Sequence, residues 1–136
     1  MAGKAYRDAH RAVSNNPKNT NKNVCGLMVA KACGVENATR YLHTLDDLKR
    51  ALATRWNYRS RKSAFKAKTV KQYSQAIANK AIEAGLSGYV VVVKGHVLLL
   101  NKHGEVHVDT APEYTARKEV QAIYGLFYKH NLARAF

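Results

Sequence analysis

The chain has 136 residues, with 23 lysines and arginines against 9 aspartates and glutamates, which gives a formal net charge of +14. A domain usually takes about 100 to 200 residues, so this length allows one domain and leaves little room for a second. Hydrophobic residues make up 46% of the chain, which is enough to build a core and excludes a chain that is disordered throughout.

The apolar segments and the cysteines indicate in which cellular compartment the protein is expected. Lys94 interrupts the longest apolar stretch, residues 89–100, which is shorter than the roughly 20 residues that cross a bilayer. The basic N-terminus lacks the apolar core of a secretory signal. If residues 25–33 are helical, Cys25 and Cys33 lie about 12 Å apart along the axis, beyond the roughly 7 Å between the Cα atoms of a disulfide. We therefore expect a cytoplasmic protein with two free thiols and no membrane contact.

The N-terminal third of the chain contains an arm and a first helix. Residues 1–22 are basic and rich in turn formers, which predicts an arm or loop. Asn23 is a good N-cap for an apolar helix over 24–32 that stops before Gly34. Cys25 then lies in the first turn of this helix.

Two more helices are predicted by apolar residues at helical spacing. One runs from about 45 to 56 after the capping residue Thr44, and its apolar stripe includes Trp56. The other runs over 70–84 and is capped by Thr69.

The positive charge is concentrated in segment 49–80, which contains no acidic residue. Such a segment attracts phosphate backbones, and its aromatic residues could stack on bases. It is also compatible with a solvated charged surface. The residues that we single out as polyanion-binding candidates are Arg55, Arg59, Arg61, Lys62, Lys66 and Lys68.

The C-terminal half changes to strand patterns. Residues 88–100 are β-branched and apolar on both faces, which predicts one central strand. Residues 101–104 predict a turn, and 105–110 alternate as a half-buried strand does. Segment 120–128 fits either a third strand or a short helix. Helices followed by strands indicate an α+β fold, with N-terminal helices packed on a small C-terminal antiparallel sheet.

Three residues of different type could meet in this fold. With a loop of four residues over 101–104, or of two at 102–103, His96 lies directly opposite Asp109 in the hairpin, close enough for a hydrogen bond. A helix N-terminus and an adjacent imidazolium both favour the thiolate of Cys25. A thiol with a histidine that is held by an acid has the pattern of a nucleophile, its base and the group that orients the base.

Other interpretations of these residues stay open. A cysteine in an apolar helix is often a core residue, and this applies more strongly to Cys33. His107 shares the predicted face of His96 and is the rival base. The histidines and Asp109 do not predict a metal site, because His103 at the turn should point away from the others. We expect no metal and no cofactor.

The chain resembles the papain-like cysteine peptidases over about residues 19–112. The resemblance rests on Cys25-Gly26 opening an apolar helix, on the segment Gly95 to Leu100, and on the segment Val108 to Pro112. The nearest variety is the compact type that processes bacteriocin leaders, together with similar small phage-encoded proteins.

The resemblance implies one papain-like domain over 23–136, with Cys25 as nucleophile, His96 as base and Asp109 as orienting acid, acting on peptide or isopeptide bonds. The family has a glutamine about six residues before its cysteine as an oxyanion donor. Here that position is Asn19, whose shorter side chain puts turnover in question.

Two functions follow from these features. The first is a thiol hydrolase acting on a peptide or protein substrate. The alternative is a non-catalytic protein of the same fold, which binds nucleic acid or is associated with a virion. In either case segment 49–80 could contact nucleic acid or an acidic protein, and a phage-encoded protein would lie in the host cytoplasm or the virion.

Overall fold

A computed structural model describes residues 24–35, 45–110 and 115–129. The predicted arm over 1–22, which includes Asn19, lies outside the described residues, as does the N-cap candidate Asn23. The helices are α1 (Val24–Ala32), α2 (Leu45–Leu52) and α3 (Val70–Ala78), with a short 3-10 helix over Lys62–Ala64. The strands are β1 (Trp56–Ser60), β2 (Leu86–Val93), β3 (His96–Asn101), β4 (Val106–Val108) and β5 (Ala122–Tyr128).

The strands form one antiparallel sheet in the order β1-β5-β2-β3-β4. The central strand β2 is buried along most of its length, as its run of valines predicts. The last strand, β5, lies between β1 and β2 and so joins a strand from the N-terminal half to the C-terminal strands. The described structure is an α+β fold.

Helices cover both faces of this sheet. On one face, α1 and α2 pack through residues such as Met28, Val29 and Leu48 against Val97 and Leu99. On the other face, α3 packs through Val70, Tyr73 and Ile77 against a second set of sheet residues, Tyr89, Val91, Val93, Leu98, Leu100 and Ile123 among them. Alternate side chains of β2 and β3 therefore belong to two separate cores, as the period of a strand requires.

The predicted order of helices first and strands second is wrong for β1 and α3. Helix α2 ends at Leu52, and Trp56 begins a strand that pairs with Tyr128 of β5 instead of extending the helical stripe. Trp56 is nevertheless a core residue, since its ring is buried and its Nε1 donates to the carbonyl of Cys33 at 2.9 Å. Helix α3 is also shorter than predicted, because it ends at Ala78 and leaves Ile82 exposed.

The predicted central strand over 88–100 is two strands joined by a tight turn. Residues 94–95 form the turn, in which Gly95 has a φ of 71°, and Val93 pairs with His96 across it. A positive φ at the second turn position alone is typical of a type II turn, and glycine adopts it without strain. The open choice for segment 120–128 is settled as a strand.

Among the described residues, no helix is both long and apolar enough to cross a membrane.

Candidate active site

Cys25 is the second residue of α1 and faces the start of β3. Helix α1 is almost wholly apolar, so it lies flat on the sheet, and Cys25 belongs to the core cluster that includes Val97 and Val108. Its sulfur is hydrogen-bonded to the His96 side chain and to backbone groups of Val97 and Gly26. The thiol is 9% exposed, so it lies at the edge of the core.

His96 is the first residue of β3 and has a partner at each ring nitrogen. Its Nε2 lies 2.8 Å from Oδ1 of Asp109, which leaves Nδ1 for the hydrogen bond to Cys25. The side chains of His96 and Asp109 are 8% and 2% exposed. The three residues thus form a buried row of thiol, imidazole and carboxylate.

The predicted hairpin register is wrong, although the predicted contact between His96 and Asp109 is present. Leu100 pairs with Val106 and Leu99 with Val108, and the N–H of Asn101 donates to the carbonyl of Glu105, so the loop has three residues, 102–104, and the register shifts again at His107. Asp109 follows the end of β4 and is not directly opposite His96. Diagonal neighbours lie about 7–8 Å apart, a distance that these two side chains bridge.

The pKa values of the thiol and the imidazole move in opposite directions. Burial alone would raise the pKa of Cys25, but the hydrogen bonds from His96 and Val97 and the charge of His96 hold it below its ordinary value. Burial alone would lower the pKa of His96, but Asp109 and Cys25 raise it to about 9. Both shifts are in the direction that favours a thiolate–imidazolium pair over the neutral pair.

Thr115 is a member of the site that the sequence did not reveal. Its Oγ1 donates to Oδ1 of Asp109 at 3.3 Å, and the residue is 1% exposed. No pattern in the sequence pointed to it, because residues 110–119 carry no regular apolar period. A threonine a few residues after the candidate acid is the only signal that was available.

No protein-family model, curated protein or solved structure matches this chain. The site is therefore interpreted from its own geometry.

The rival residues differ from Cys25 and His96 in their surroundings. Burial strongly raises the pKa of Cys33, which is fully enclosed at the end of α1, so this thiol stays protonated. Burial lowers the pKa of His107, which makes it a neutral imidazole. His103 is exposed in the turn. Within the described ranges, no group of three or more His, Cys, Asp or Glu residues could hold a metal ion.

The oxyanion candidate Asn19 lies outside the described residues. The first backbone N–H groups of a helix have no partner within the helix. Cys25 lies in the first turn of α1, so its own N–H is in the correct place for a donor near the sulfur.

The polyanion-binding candidates lie in and next to β1 and in the segment between β1 and α3. Arg59, Lys62, Lys66 and Lys68 are exposed, and Arg55 is half-buried. Arg61 differs from them, because Glu83 binds its guanidinium through two hydrogen bonds of 2.6 and 2.8 Å. The basic groove, lined by Phe65, Lys66, Ala67, Lys68, Gln72 and Gln75, is an open depression of about 770 Å³.

Proposed function

We propose that the protein is a thiol hydrolase of the papain-like type, a cysteine peptidase that cleaves peptide or isopeptide bonds. One observation carries the proposal: Cys25, His96 and Asp109 form a continuous hydrogen-bonded row at the edge of the core. The opposite pKa shifts of Cys25 and His96 support it, since they favour the reactive thiolate.

Each group has one task in the reaction. The Cys25 thiolate attacks the carbonyl carbon of the scissile bond, a C–S bond forms, and the carbonyl electrons move to oxygen as an oxyanion. The backbone N–H of Cys25 donates to that oxygen. When the oxyanion collapses, the C–N bond breaks and the His96 imidazolium gives its proton to the leaving amine.

The second half of the reaction restores the thiolate. Neutral His96 takes a proton from water, and the hydroxide attacks the thioester carbon. The C–S bond then breaks, and the carboxylic acid product leaves. Asp109 keeps the ring of His96 in one orientation and stabilises its charged form in both halves.

Selective alkylation tests the proposal. With iodoacetamide at pH 6.5, Cys25 should react at least about tenfold faster than Cys33, as followed by mass spectrometry of digested protein. Because burial alone keeps Cys33 slow, the decisive comparison is His96→Ala, which gives the thiol more room. We expect its Cys25 to react more slowly despite that room, because the imidazolium is lost.

Turnover is tested on a mixture of unmodified peptides, with Cys25→Ala as the control. New peptide ends that appear with the wild-type protein and are absent with Cys25→Ala support the proposal. Alkylation of Cys25 that is slow at pH 6.5 and unchanged by His96→Ala would contradict it.

The alternative function is binding of single-stranded nucleic acid. The residues that line the basic groove favour it. Lys66 and Lys68 line the groove beside Phe65, a half-buried ring that has Nζ of Lys80 at 4.8 Å from its centre. Exposed cations beside an aromatic face are the elements that hold phosphates and stack bases. This function does not depend on Cys25.

Fluorescence anisotropy with a labelled 20-nucleotide oligo(dT) tests this alternative. We expect affinity to fall steeply with NaCl, to survive Cys25→Ala, and to drop about tenfold in the double variant Lys66→Glu/Lys68→Glu. The matched control is Lys94→Glu/Lys102→Glu, which changes the net charge by the same amount at residues that do not line the groove. Binding that does not respond to salt, or that weakens equally in the two variants, would exclude the basic groove as the binding site.

A further inference from the structure

We infer that Thr115 is a positioning residue for the acid of the site: its hydroxyl fixes the carboxylate of Asp109 so that this group orients His96. The inference rests on the proposed function and adds a fourth residue to it. In this role Thr115 takes no part in the bond changes and acts through Asp109.

The geometry at Asp109 carries the first step. Thr115 Oγ1 and His96 Nε2 both bind the same oxygen, Oδ1, at 3.3 and 2.8 Å. An ionised carboxylate only accepts, so the threonine hydroxyl must be the donor. Two donors from different directions on one oxygen restrict rotation of the carboxylate about its Cβ–Cγ bond, and so direct that oxygen at the imidazole.

Burial makes this hydroxyl important. The side chain of Asp109 is 2% exposed and Thr115 is 1% exposed, so water has little access to the carboxylate. A buried carboxylate is strongly destabilised unless donors surround it. Removal of one donor therefore leaves a buried carboxylate with fewer hydrogen bonds and weakens its hold on His96.

The backbone of Thr115 is held from the far side of the sheet, which makes it a fixed support. The N–H of Lys118 donates to its carbonyl at 2.9 Å. The next residue, Ala116, accepts from the N–H of Lys71, and Lys118 accepts from the N–H of Val70, both at 3.0 Å. Segment 115–120 is thus attached to the start of α3, a helix that packs on the opposite face from Cys25.

The test compares Thr115→Val, which keeps the shape and removes the hydroxyl, with Thr115→Ser, which keeps the hydroxyl. The readout is the pH dependence of Cys25 alkylation by iodoacetamide in folded protein. We expect Thr115→Val to reduce the rate at pH 6.5 about tenfold and to move the apparent pKa of Cys25 upwards. Thr115→Ser should keep the wild-type profile.

Two controls separate positioning from a merely structural effect. Thr54→Val removes an exposed hydroxyl that donates to the Ala51 carbonyl of α2 and should leave the profile unchanged. In an Asp109→Asn background, Thr115→Val should add no further change in rate, because the residue acts through that carboxylate. If Thr115→Val does not fold, Thr115→Ala is measured in its place with the same expectation.

The outcomes distinguish this inference from the proposed function. A wild-type Cys25 that reacts as an ordinary thiol overturns both. A reactive wild-type Cys25 whose profile is the same in Thr115→Val or Thr115→Ala overturns only the role of Thr115. A Thr115→Ser variant that loses as much as Thr115→Val also overturns it, because the hydroxyl would then not be the active feature.

Discussion

At the scale of single residues, the protonation of Cys25 and His96 depends on two opposing effects. Hydrogen bonds and neighbouring charges favour the charged forms, and burial favours the neutral forms. Burial would make both Cys25 and His96 neutral, since it penalises either charge. The pKa values shift towards the charged pair because each group stabilises the other, Val97 and Gly26 bond to the sulfur, and Asp109 stabilises the imidazolium. Small changes at Asp109 should therefore have a large effect on the thiol, although Asp109 does not touch it in the proposed reaction.

Asp109→Asn should change the pH profile of alkylation in a defined direction. Loss of the carboxylate removes one of the two groups that raise the pKa of His96 to about 9, so that pKa falls. Less imidazolium is then present at neutral pH, and the pKa of Cys25 rises towards that of an ordinary thiol. Measured over pH 5 to 10, the variant should react more slowly than the wild type at pH 6.5 and similarly at pH 10, where both thiols are ionised.

His103→Asn is the matched control for this variant, because His103 is exposed in the turn and its loss leaves the row intact. An Asp109→Asn profile that coincides with the wild-type profile would show that the carboxylate does not support the charge of His96.

At the scale of elements, the sequence predicts the three α-helices and most of their apolar faces. It does not predict where the strands begin. Thr69 as an N-cap and the apolar run of α1 are local signals, and each predicts its helix from the sequence, whereas the capping box of Thr69 with Gln72 is seen only in the structure. Trp56 was assigned to a helix because it continues the spacing of Leu48 and Leu52. Its true position in β1 depends on pairing with β5, about 70 residues later in the chain, which no local pattern contains.

The hairpin shows the same limit at the candidate site. The Lys94-Gly95 pair between two apolar runs is a local turn signal, which the prediction of one continuous strand does not use. The register of β3 and β4 was not readable, because it depends on a three-residue loop and an irregularity at His107. His96 and Asp109 are still in contact, because side chains at diagonal positions of a hairpin can reach each other as directly opposite ones do.

Gly104 and Gly95 allow a matched test of how the β3–β4 loop is held. Both have positive φ, 85° and 71°. A Cβ atom on Gly104 would lie 2.5 Å from the Ser74 carbonyl oxygen of α3, whereas one on Gly95 meets nothing within 4 Å. We expect Gly95→Ala to destabilise by about 1 kcal/mol through strain alone, and Gly104→Ala by about 3 kcal/mol because overpacking is added.

Urea unfolding followed by circular dichroism measures both changes in the free energy of unfolding. Equal losses in the two variants would mean that the loop does not pack against α3 as described.

Trp56→Phe tests the attachment of β1 to the helix that carries Cys25. The Trp56 Nε1 donates to the buried carbonyl of Cys33, and phenylalanine would leave that oxygen without this donor. We expect a loss of about 1 to 3 kcal/mol in the free energy of unfolding, measured in urea. Tyr128→Phe is the control, because it keeps the ring that packs edge-on against Trp56 at 4.9 Å. A loss below that of the control would show that the bond contributes nothing.

At the scale of the whole molecule, part of the positive charge lies away from the candidate site. Exposed cations such as Lys62, Lys66 and Lys68 lie on and near the loop before α3, on the face opposite to α1. The proposed chemistry uses none of them. Segment 115–120 nevertheless connects the two regions, because it binds residues 68–71 through its backbone and Asp109 through Thr115.

Repulsion among these cations should make stability depend on salt. Like charges in one segment destabilise a compact state, and salt shortens the range of the repulsion from about 30 Å at 0.01 M to about 10 Å at 0.1 M. The thermal midpoint followed by circular dichroism at pH 7 should therefore rise by several degrees over this interval of NaCl. In Lys66→Glu/Lys68→Glu, the midpoint in low salt should be higher than in the wild type and should respond less to salt.

A second double variant separates local crowding from total charge. Lys94→Glu/Lys102→Glu lowers the net charge by the same amount but outside the acid-free segment. If crowding near α3 is the cause, this variant keeps most of the wild-type salt response, because the repelling cations of segment 49–80 are untouched. If both variants lose the salt dependence of the thermal midpoint equally, the net charge of the whole chain determines that dependence. Repulsion within the basic segment is then no stronger than on the rest of the surface.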